Sequence, residues 1–252
     1  MERDIDISAT IVVYKEDVKT LQKTITSFLN VSLTKRLYII DNSPSNILKE
    51  FCDFPEVEYV FVGRNMGFGG GHNLVLDKIK DCSNYHLILN PDVSFEPNVL
   101  LQLIKELVSN RDIAMVSPKV LYPDGKQQHT CRRTPTFLEL FYRRVGVKKE
   151  FTELQEYRGQ DLKKSFYPDF IHGCFMLFKT QDFINLKGFD ERYFLYMEDA
   201  DICRQIKESG KEVLYFPKEQ ITHIQRKGSA KKGKLLYYHI ISVIKYFIKW
   251  NK

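Results

Sequence analysis

Two acidic positions and one histidine have side chains that suit proton transfer or metal-assisted chemistry. Asp92 ends the tripeptide Asn90-Pro91-Asp92, Asp199 lies in the cluster Glu198-Asp199-Ala200-Asp201, and His223 comes later in the chain. A carboxylate can take a proton from an attacking hydroxyl. Carboxylate oxygens and imidazole nitrogens are also ligands for divalent cations. The residue types therefore predict a general base, a metal site, or both.

Each of these residues also has a structural explanation. Aspartate is frequent in turns, and acidic residues in the first turn of a helix stabilise its N-terminus. A single histidine is more often a structural residue than a ligand. Helical spacing places Glu198 and Asp201 on one side and Asp199 on another, so the cluster can supply both a helix cap and a base.

A glycine-rich segment at residues 63–73 suits a phosphate group. Four of the five residues 67–71 are glycine, which lets the backbone approach a ligand closely. Amide groups at the start of a helix would face the anion. The glycine spacing matches neither a dinucleotide-binding fingerprint nor a P-loop. A tight turn without a ligand is the alternative reading.

Alternating strands and helices must position these residues. We predict strands at residues 7–14, 37–40, 58–62 and 85–89, with helices at 17–28 and 97–109. This order predicts an α/β domain whose mainly parallel central sheet is flanked by helices. Ligands bind beyond the carboxyl ends of such strands. Asp41, the Gly67 segment and Asp92 each follow a predicted strand, so they should meet at one rim.

The second half of the chain has a less regular pattern. Residues 146–164 are polar and predict a loop or insertion. After it we predict a strand at 170–178, a helix at 198–209, a strand at 212–216 and a helical pattern at 231–250.

Composition limits the class of protein. The 252 residues carry a net charge of +6, which favours an anionic partner, but no nucleic-acid-binding motif is present. The five cysteines are scattered and show no metal-binding spacing, which predicts reduced thiols and a cytoplasmic location. No apolar stretch has the length of a membrane span.

The ordered set of motifs resembles family 2 of the glycosyltransferases, from about Ile7 to His223. Within that family it is most similar to the rhamnosyltransferase-like branch of bacterial surface polysaccharide synthesis. The motifs are Ile11-Val12-Val13-Tyr14, Asp41-Asn42-Ser43, Asn65-Met66-Gly67-Phe68, Leu89-Asn90-Pro91-Asp92, Gly188-Phe189-Asp190-Glu191, Glu198-Asp199-Ala200-Asp201 and His223. The resemblance implies a GT-A fold, a nucleotide-sugar donor, a divalent cation and inversion of the anomeric centre.

The resemblance also implies a role for each matching residue. Asp199 matches the general base, and Asp92 and His223 match ligands of Mn²⁺ or Mg²⁺. Asn90 stands where the family's metal motif usually begins with aspartate, so Asp92 is the main carboxylate on the metal. Asp41 matches the position that reads the pyrimidine ring. The remaining donor-site positions are Tyr14, Asn65, Gly67, Asn73 and Asn90.

The resemblance favours dTDP-L-rhamnose as donor and a glycan or polyprenyl-linked acceptor. A UDP-hexose would use the same Asp41 contact. A nucleotide-sugar hydrolase or a nucleotidyltransferase would need similar groups, but the lysine-rich signature of the latter is missing. A catalytically silent scaffold of a polysaccharide assembly complex is an alternative from another class, although it need not keep Asp92 and Asp199.

The chain divides into a glycosyltransferase domain at residues 1–228 and a basic amphipathic helix at 229–252. Residues 1–120 are expected to bind the nucleotide sugar, and residues 121–228 the acceptor. In the last helix, lysines alternate with apolar and aromatic residues. Such a helix either packs on the core or on a second subunit, or lies on an anionic membrane surface at the inner face of the cell membrane.

Overall fold

The computed structural model describes residues 5–136, 149–224 and 233–250. Its front half is a parallel sheet of four strands: β1 (Ile5–Val13), β2 (Lys35–Asp41), β3 (Val57–Phe61) and β4 (Ser83–Leu89). Their order is β3-β2-β1-β4, and all three pairings are parallel. The predicted strands are confirmed, and their carboxyl ends share one rim.

Helices cover both faces of this half. They are α1 (Val18–Leu29), α2 (Gly67–Asn73), α3 (Leu76–Ile79) and α4 (Asn98–Ser109). Asp17 caps α1 by accepting the Thr20 N–H at 2.9 Å. Side chains alternate along β2, so Leu37 and Ile39 join one hydrophobic cluster while Tyr38 and Ile40 join the other.

The back half extends the same sheet with strands of both directions. β6 (Ile113–Leu121) and β11 (Glu212–His223) pair in parallel. β10 (Phe175–Lys179) lies between β4 and β6 and is antiparallel to both. The α/β architecture is confirmed, but the sheet is mixed. The four front strands and the β6–β11 pair are parallel as expected, whereas β10 is antiparallel to both of its neighbours.

Several short elements complete the fold. β5 (Val93–Ser94) pairs with the end of β11, β7 (Gln127–Gln128) pairs with β6, and β8 (Cys131–Arg132) pairs with β9 (Phe170–Ile171). The strand predicted at 170–178 is therefore two strands, β9 and β10. The strand predicted at 212–216 continues to residue 223 through an irregular register after Phe216.

The remaining helices are α5 (Lys149–Gln155), α6 (Thr180–Asn185), α7 (Glu198–Glu208) and α8 (Lys234–Trp250). The segment predicted as a loop at 146–164 thus contains one helix. α8 packs against the segment before α7, with Ser242 and Tyr246 buried. No helix among the described residues is both long and apolar enough to cross a bilayer.

Candidate functional site

Asp92 and His223 lie together at the rim of the sheet. Asp92 directly precedes β5, and His223 ends β11, so the antiparallel pairing of these strands brings them together. The Asp92 Oδ1 atom lies 3.3 Å from the His223 Nε2 atom. Asn90 Nδ2 lies 3.5 Å from the same Nε2 atom. Three residues from two separate sequence motifs therefore converge on one point.

Gln128 fixes the orientation of the His223 ring. Its Nε2 atom donates to the His223 carbonyl at 2.6 Å, and its Oε1 atom lies 3.0 Å from Nδ1. The amide oxygen accepts the Nδ1 proton, which leaves Nε2 directed at Asp92. Such an outer contact is typical of histidine metal ligands. Sequence reasoning missed Gln128, because nothing in its sequence context distinguishes it from a surface glutamine.

The charges around His223 suit a cation. Burial lowers the pKa of His223, but the neighbouring Cys174 and Asp92 outweigh burial and raise it to about 10. A positive charge at Nε2 is therefore stabilised, and a divalent cation would take the place of that proton. Among the described residues no group of three or more His, Cys, Asp or Glu side chains forms a metal cluster. Asp92 and His223 would thus hold a cation together with ligands from outside the protein.

Asp199 lies in the first turn of α7. It is partly exposed, unlike its acidic neighbours. Its Oδ1 atom accepts the Ala200 N–H at 2.8 Å, and its Oδ2 atom accepts the Gly173 N–H at 3.3 Å. Glu198 and Asp201 are buried. Sequence spacing predicted this division. Met197, the residue before the helix, makes no side-chain cap, and the contact of the cluster with the first helical turn is the bond from Ala200 N–H to Asp199.

Burial controls the protonation of this cluster. It raises the pKa of Glu198 well above its usual value, and the nearby Asp199 charge raises it further. Burial also raises the pKa of Asp199, although the Ala200 and Gly173 N–H groups and the Arg132 charge oppose it. Asp199 is therefore a partly exposed carboxylate with increased basicity, as a general base requires.

Residues 173–174 connect the base to the Asp92 end of the site. The Cys174 carbonyl accepts the Asn90 N–H at 2.9 Å, while the adjacent Gly173 donates to Asp199. Beside them, Arg132 forms an ion pair with Glu156 at 2.5 Å and donates to His172 at 3.3 Å.

Asp41 lies at the end of β2 and is fully buried. Its Oδ1 atom accepts the Ser43 N–H at 2.8 Å, and its Oδ2 atom accepts the Tyr59 hydroxyl. Tyr14, at the end of β1, is by contrast half exposed. Ser43 and Tyr59 thus occupy both carboxylate oxygens of Asp41, which has no exposed surface in this conformation. The base-reading role of Asp41 remains a prediction.

The glycine-rich segment packs tightly against the second half of the chain. Gly67 has a positive φ of 78°, and a side chain there would overlap the Phe194 carbonyl. Asn65 accepts the Gly67 N–H at 2.9 Å, and Asn42 donates to the Gly67 carbonyl at 3.1 Å. Packing alone therefore requires glycine at position 67, and the predicted phosphate contact remains a prediction.

Asn73 has a structural task at the end of α2. Its Nδ2 atom donates to the Phe189 carbonyl at 2.8 Å, and its Oδ1 atom accepts the Phe189 N–H at 2.9 Å. The amide thus pairs with the backbone of the Gly188-Phe189 motif. This contact joins the two motifs in space, and the predicted nucleotide contact of Asn73 remains a prediction.

Comparison with known proteins shows which families and structures this chain is similar to. Residues 8–183 match glycosyl transferase family 2, and residues 161–227 match the family described as the N-terminal domain of galactosyltransferase. The chain is 27% identical to the rhamnosyltransferase WbbL of Escherichia coli over 228 residues, which are 85% of this chain and 82% of that one.

A second relative is the N-acetylglucosaminyl-diphospho-decaprenol L-rhamnosyltransferase of Mycobacterium tuberculosis. It is 24% identical over 184 residues, which are 68% of this chain and 59% of that enzyme. Among solved structures, GalNAc-T7 with UDP, GalNAc and Mn²⁺ superposes with a TM-score of 0.73 at 17% identity. That match covers 96% of this chain but only 48% of the other, and it shows the shared GT-A fold.

Proposed function

This chain belongs to glycosyl transferase family 2, and from that premise we propose that it transfers one sugar with inversion of the anomeric centre. It is a glycosyltransferase, related by sequence to proteins named as rhamnosyltransferases. The proposed donor is a nucleotide diphosphate sugar, and the proposed acceptor is a hydroxyl group of a glycan.

The observation that carries the proposal is the environment of Asp199. It is the partly exposed carboxylate in a cluster whose other two carboxylates are buried. In the proposed reaction the acceptor oxygen bonds to the anomeric carbon as the bond to the diphosphate breaks, and Asp199 takes the hydroxyl proton. A single displacement with one base inverts configuration, whereas retention would need a second carboxylate as nucleophile.

Asp92 and His223 are the residues that would hold a divalent cation, with Gln128 orienting the histidine. The structural neighbour GalNAc-T7 contains UDP and Mn²⁺. Here we propose Mn²⁺ or Mg²⁺, and the imidazole favours Mn²⁺. The cation would neutralise charge that develops on the diphosphate leaving group. Asn90 lies beside His223 Nε2 and would contact the same donor phosphates.

For the donor we propose dTDP-L-rhamnose, with a UDP-hexose as the alternative. The names of two relatives specify rhamnosyl transfer. Either pyrimidine would stack on Tyr14 and present a ring N–H to Asp41. Asn65 and Gly67 would line the nucleotide. Asp41 reaches the ring only if the segment around Ser43 opens, so we expect donor binding to order or shift that segment.

For the acceptor we propose a polyprenyl-linked glycan at the cytoplasmic face of a membrane. The mycobacterial relative is named for a lipid diphosphate acceptor. An outer stripe on α8 would meet the membrane: Tyr237, Ile240, Ile244 and Ile248 are 48–70% exposed. Fewer lysines of the helix are available to bind anionic lipid than the sequence indicated. Lys245 and Lys249 bond to this chain's own residues, and Lys231, Lys232 and Lys252 lie outside the described residues.

A donor panel tests the proposal. The thermal unfolding midpoint is measured with dTDP-L-rhamnose, UDP-hexoses and GDP-mannose, each with and without Mn²⁺. Because binding to the folded state alone raises apparent stability, the true donor should raise the midpoint most, and only with metal. Product analysis then separates the alternatives: free sugar indicates a hydrolase, and no turnover with any donor and acceptor indicates a silent scaffold.

A further inference from the structure

The turn that leads into the Asp199 helix has an unusual backbone conformation. Tyr196 and Met197 have φ values of 70° and 71°, so two consecutive residues with side chains occupy the left-handed region. Such residues cost free energy and persist only where the surrounding structure fixes them. Glu198 and Asp199 follow at once. The direction in which α7 presents Asp199 therefore depends on what holds this turn.

The donor side of the site holds one edge of the turn. The Phe194 carbonyl accepts the Phe68 N–H at 3.0 Å, and it fills the space that a side chain at Gly67 would need. The turn is thus in direct backbone contact with the glycine-rich segment. The opposite edge of the turn faces α8, and this contact does not reach it.

α8 holds that opposite edge through side chains that reach backbone carbonyls. Ser242 Oγ donates to the Leu195 carbonyl at 2.9 Å, and Lys245 Nζ donates to the Arg192 carbonyl at 2.6 Å. The His239 ring lies 5.1 Å from the Tyr196 ring. All three contacts fall within residues 192–196, at or just before the left-handed turn, so the inner face of α8 packs along this segment.

The end of α8 is fixed to α7 itself through Asp201. This carboxylate is completely buried and lies two residues from Asp199. Lys249 Nζ donates to its Oδ2 atom at 2.8 Å, and the Trp250 Nε1–H donates to its Oδ1 atom at 2.7 Å. Tyr193 and Gln205 supply two further donors, at 3.1 and 2.7 Å. A buried charge requires such pairing, so the loss of either α8 donor should disturb α7 at its first turn.

We propose that α8 is a positioning element for catalysis: Lys249 and Trp250, acting through Asp201, hold the left-handed turn and with it Asp199 in the reactive position. The proposal rests on the proposed role of Asp199 as the base. It assigns α8 an inner face that serves the reaction, distinct from its exposed outer stripe. A base displaced by about 1 Å can lose on the order of a hundredfold in rate, so a small loosening of this contact should be visible in turnover.

The test compares Lys249→Met with Lys249→Arg and Trp250→Phe in the full chain, and uses Lys234→Met as the control at the exposed first residue of α8. For each variant kcat per folded molecule, the donor dissociation constant and the unfolding midpoint are measured. We expect Lys249→Met to lower kcat about tenfold or more, with donor affinity within about threefold of the parent. Lys249→Arg should restore most of kcat, and Lys234→Met should match the parent.

Trp250→Phe keeps an aromatic ring near Arg204 but removes the N–H donor, so it tests the proposal even if Lys249→Met does not fold. A parent-like kcat in folded Lys249→Met and Trp250→Phe, with only a lower unfolding midpoint, would overturn the proposal and leave α8 a structural helix. Failure of the base assignment is a separate result, because it would appear as full activity in Asp199→Asn.

Discussion

Nε2 of His223 lies 3.3 Å from Oδ1 of Asp92, although 131 positions separate the two residues in the chain. The short β5–β11 pairing brings them together, and Gln128 orients the imidazole through a hydrogen bond at Nδ1. In the proposed metal site, the charge of Asp92 and the ring orientation of His223 would together hold a cation at this rim of the sheet. The first two predictions follow from that pair.

Replacing Asp92 with alanine should abolish transfer and remove the metal dependence of nucleotide binding. The variant loses the only carboxylate that faces His223 Nε2 among the described residues. His223→Ala should weaken metal binding less, because the carboxylate charge remains. Nucleotide titrations with and without Mn²⁺ measure both effects, with Asp77→Ala on exposed α3 as a control. Equal metal-dependent affinity in Asp92→Ala and the parent would contradict the metal assignment.

Replacing Gln128 with alanine should weaken metal affinity about 10- to 100-fold, as the loss of an outer contact commonly does. The substitution removes the partner of His223 Nδ1 without touching Nε2. Gln102→Ala, on the surface of α4, is the matched control. Titration with Mn²⁺ in the presence of nucleotide measures the change. A metal affinity unchanged by Gln128→Ala would mean that the ring orientation does not limit binding.

Asp199→Asn should lower kcat by a factor on the order of a hundred or more, while donor binding and stability remain close to the parent. The matched control is Glu198→Gln, the same acid-to-amide change at the neighbouring buried residue. Because burial raises the pKa of Glu198 and so favours its uncharged form, the neutral amide is a mild change there and the control should keep its activity. If the two variants lose activity equally, the cluster acts as a unit and Asp199 has no separate role as base.

The positions of these residues were predictable from sequence to different degrees. The strand order predicted that Asp92 lies at the rim of the sheet. Helical spacing predicted that Asp199 lies on a different side of α7 from Glu198 and Asp201. Gln128 was not predictable, because it contacts a residue 95 positions away and its own segment has no periodic pattern. The insertion of β10 between β4 and β6 was equally hidden, since an apolar run indicates burial but not the identity of its neighbours.

The contacts of the charged residues on α8 were also not predictable from the sequence. The sequence pattern predicted an amphipathic helix, and the structure has one. The membrane interpretation directed the helix lysines toward an anionic surface, yet Lys249 donates to both Asp190 and Asp201 at 2.9 and 2.8 Å. Helical periodicity identifies a face but not the carboxylates that approach it from distant parts of the chain. The long apolar stem of a lysine on the inner face can therefore bring its ammonium group to a buried carboxylate.

Acidification should destabilise the protein through His86. This residue is fully buried between Ser8 and Thr10, and burial lowers its pKa to about 3. The unfolded chain takes up a proton near pH 6.5 that the folded chain refuses. The free energy of unfolding is therefore unaffected by His86 above pH 6.5, and it falls by about 1.4 kcal/mol per pH unit below that value. Buried His72 acts in the same direction.

Chemical denaturation of the parent and of His86→Gln at pH 7.5 and pH 5 isolates this contribution. The difference in unfolding free energy between the two pH values should be about 2 kcal/mol smaller in His86→Gln. Buried Glu198, whose pKa is raised, opposes the effect but is common to both proteins. An equal pH dependence in the two proteins would show that His86 gains a proton without unfolding.

The exposed stripe on α8 should bind membranes. Ile240→Ser, Ile244→Ser and Ile248→Ser together remove three aliphatic side chains from the outer face and leave the Asp201 contacts of the inner face intact. We expect the parent to co-sediment with anionic liposomes more weakly as salt increases, because the basic residues that accompany this helix attract the surface charge. The triple variant should lose liposome binding and keep kcat with a water-soluble acceptor.

A second triple variant controls for the general loss of surface apolarity. Ile47→Ser, Val108→Ser and Leu154→Ser change exposed aliphatic residues that lie away from α8, and they should leave liposome binding unchanged. Sedimentation velocity of all three proteins tests the alternative that the stripe binds a second subunit. If the parent is a dimer that the first triple variant dissociates, and the parent ignores anionic liposomes at low salt, the outer face of α8 joins two subunits. If the stripe binds lipid, the parent co-sediments with anionic liposomes and the first triple variant has the same oligomeric state as the parent. The hydrophobic contact is then made with acyl chains rather than with a second helix.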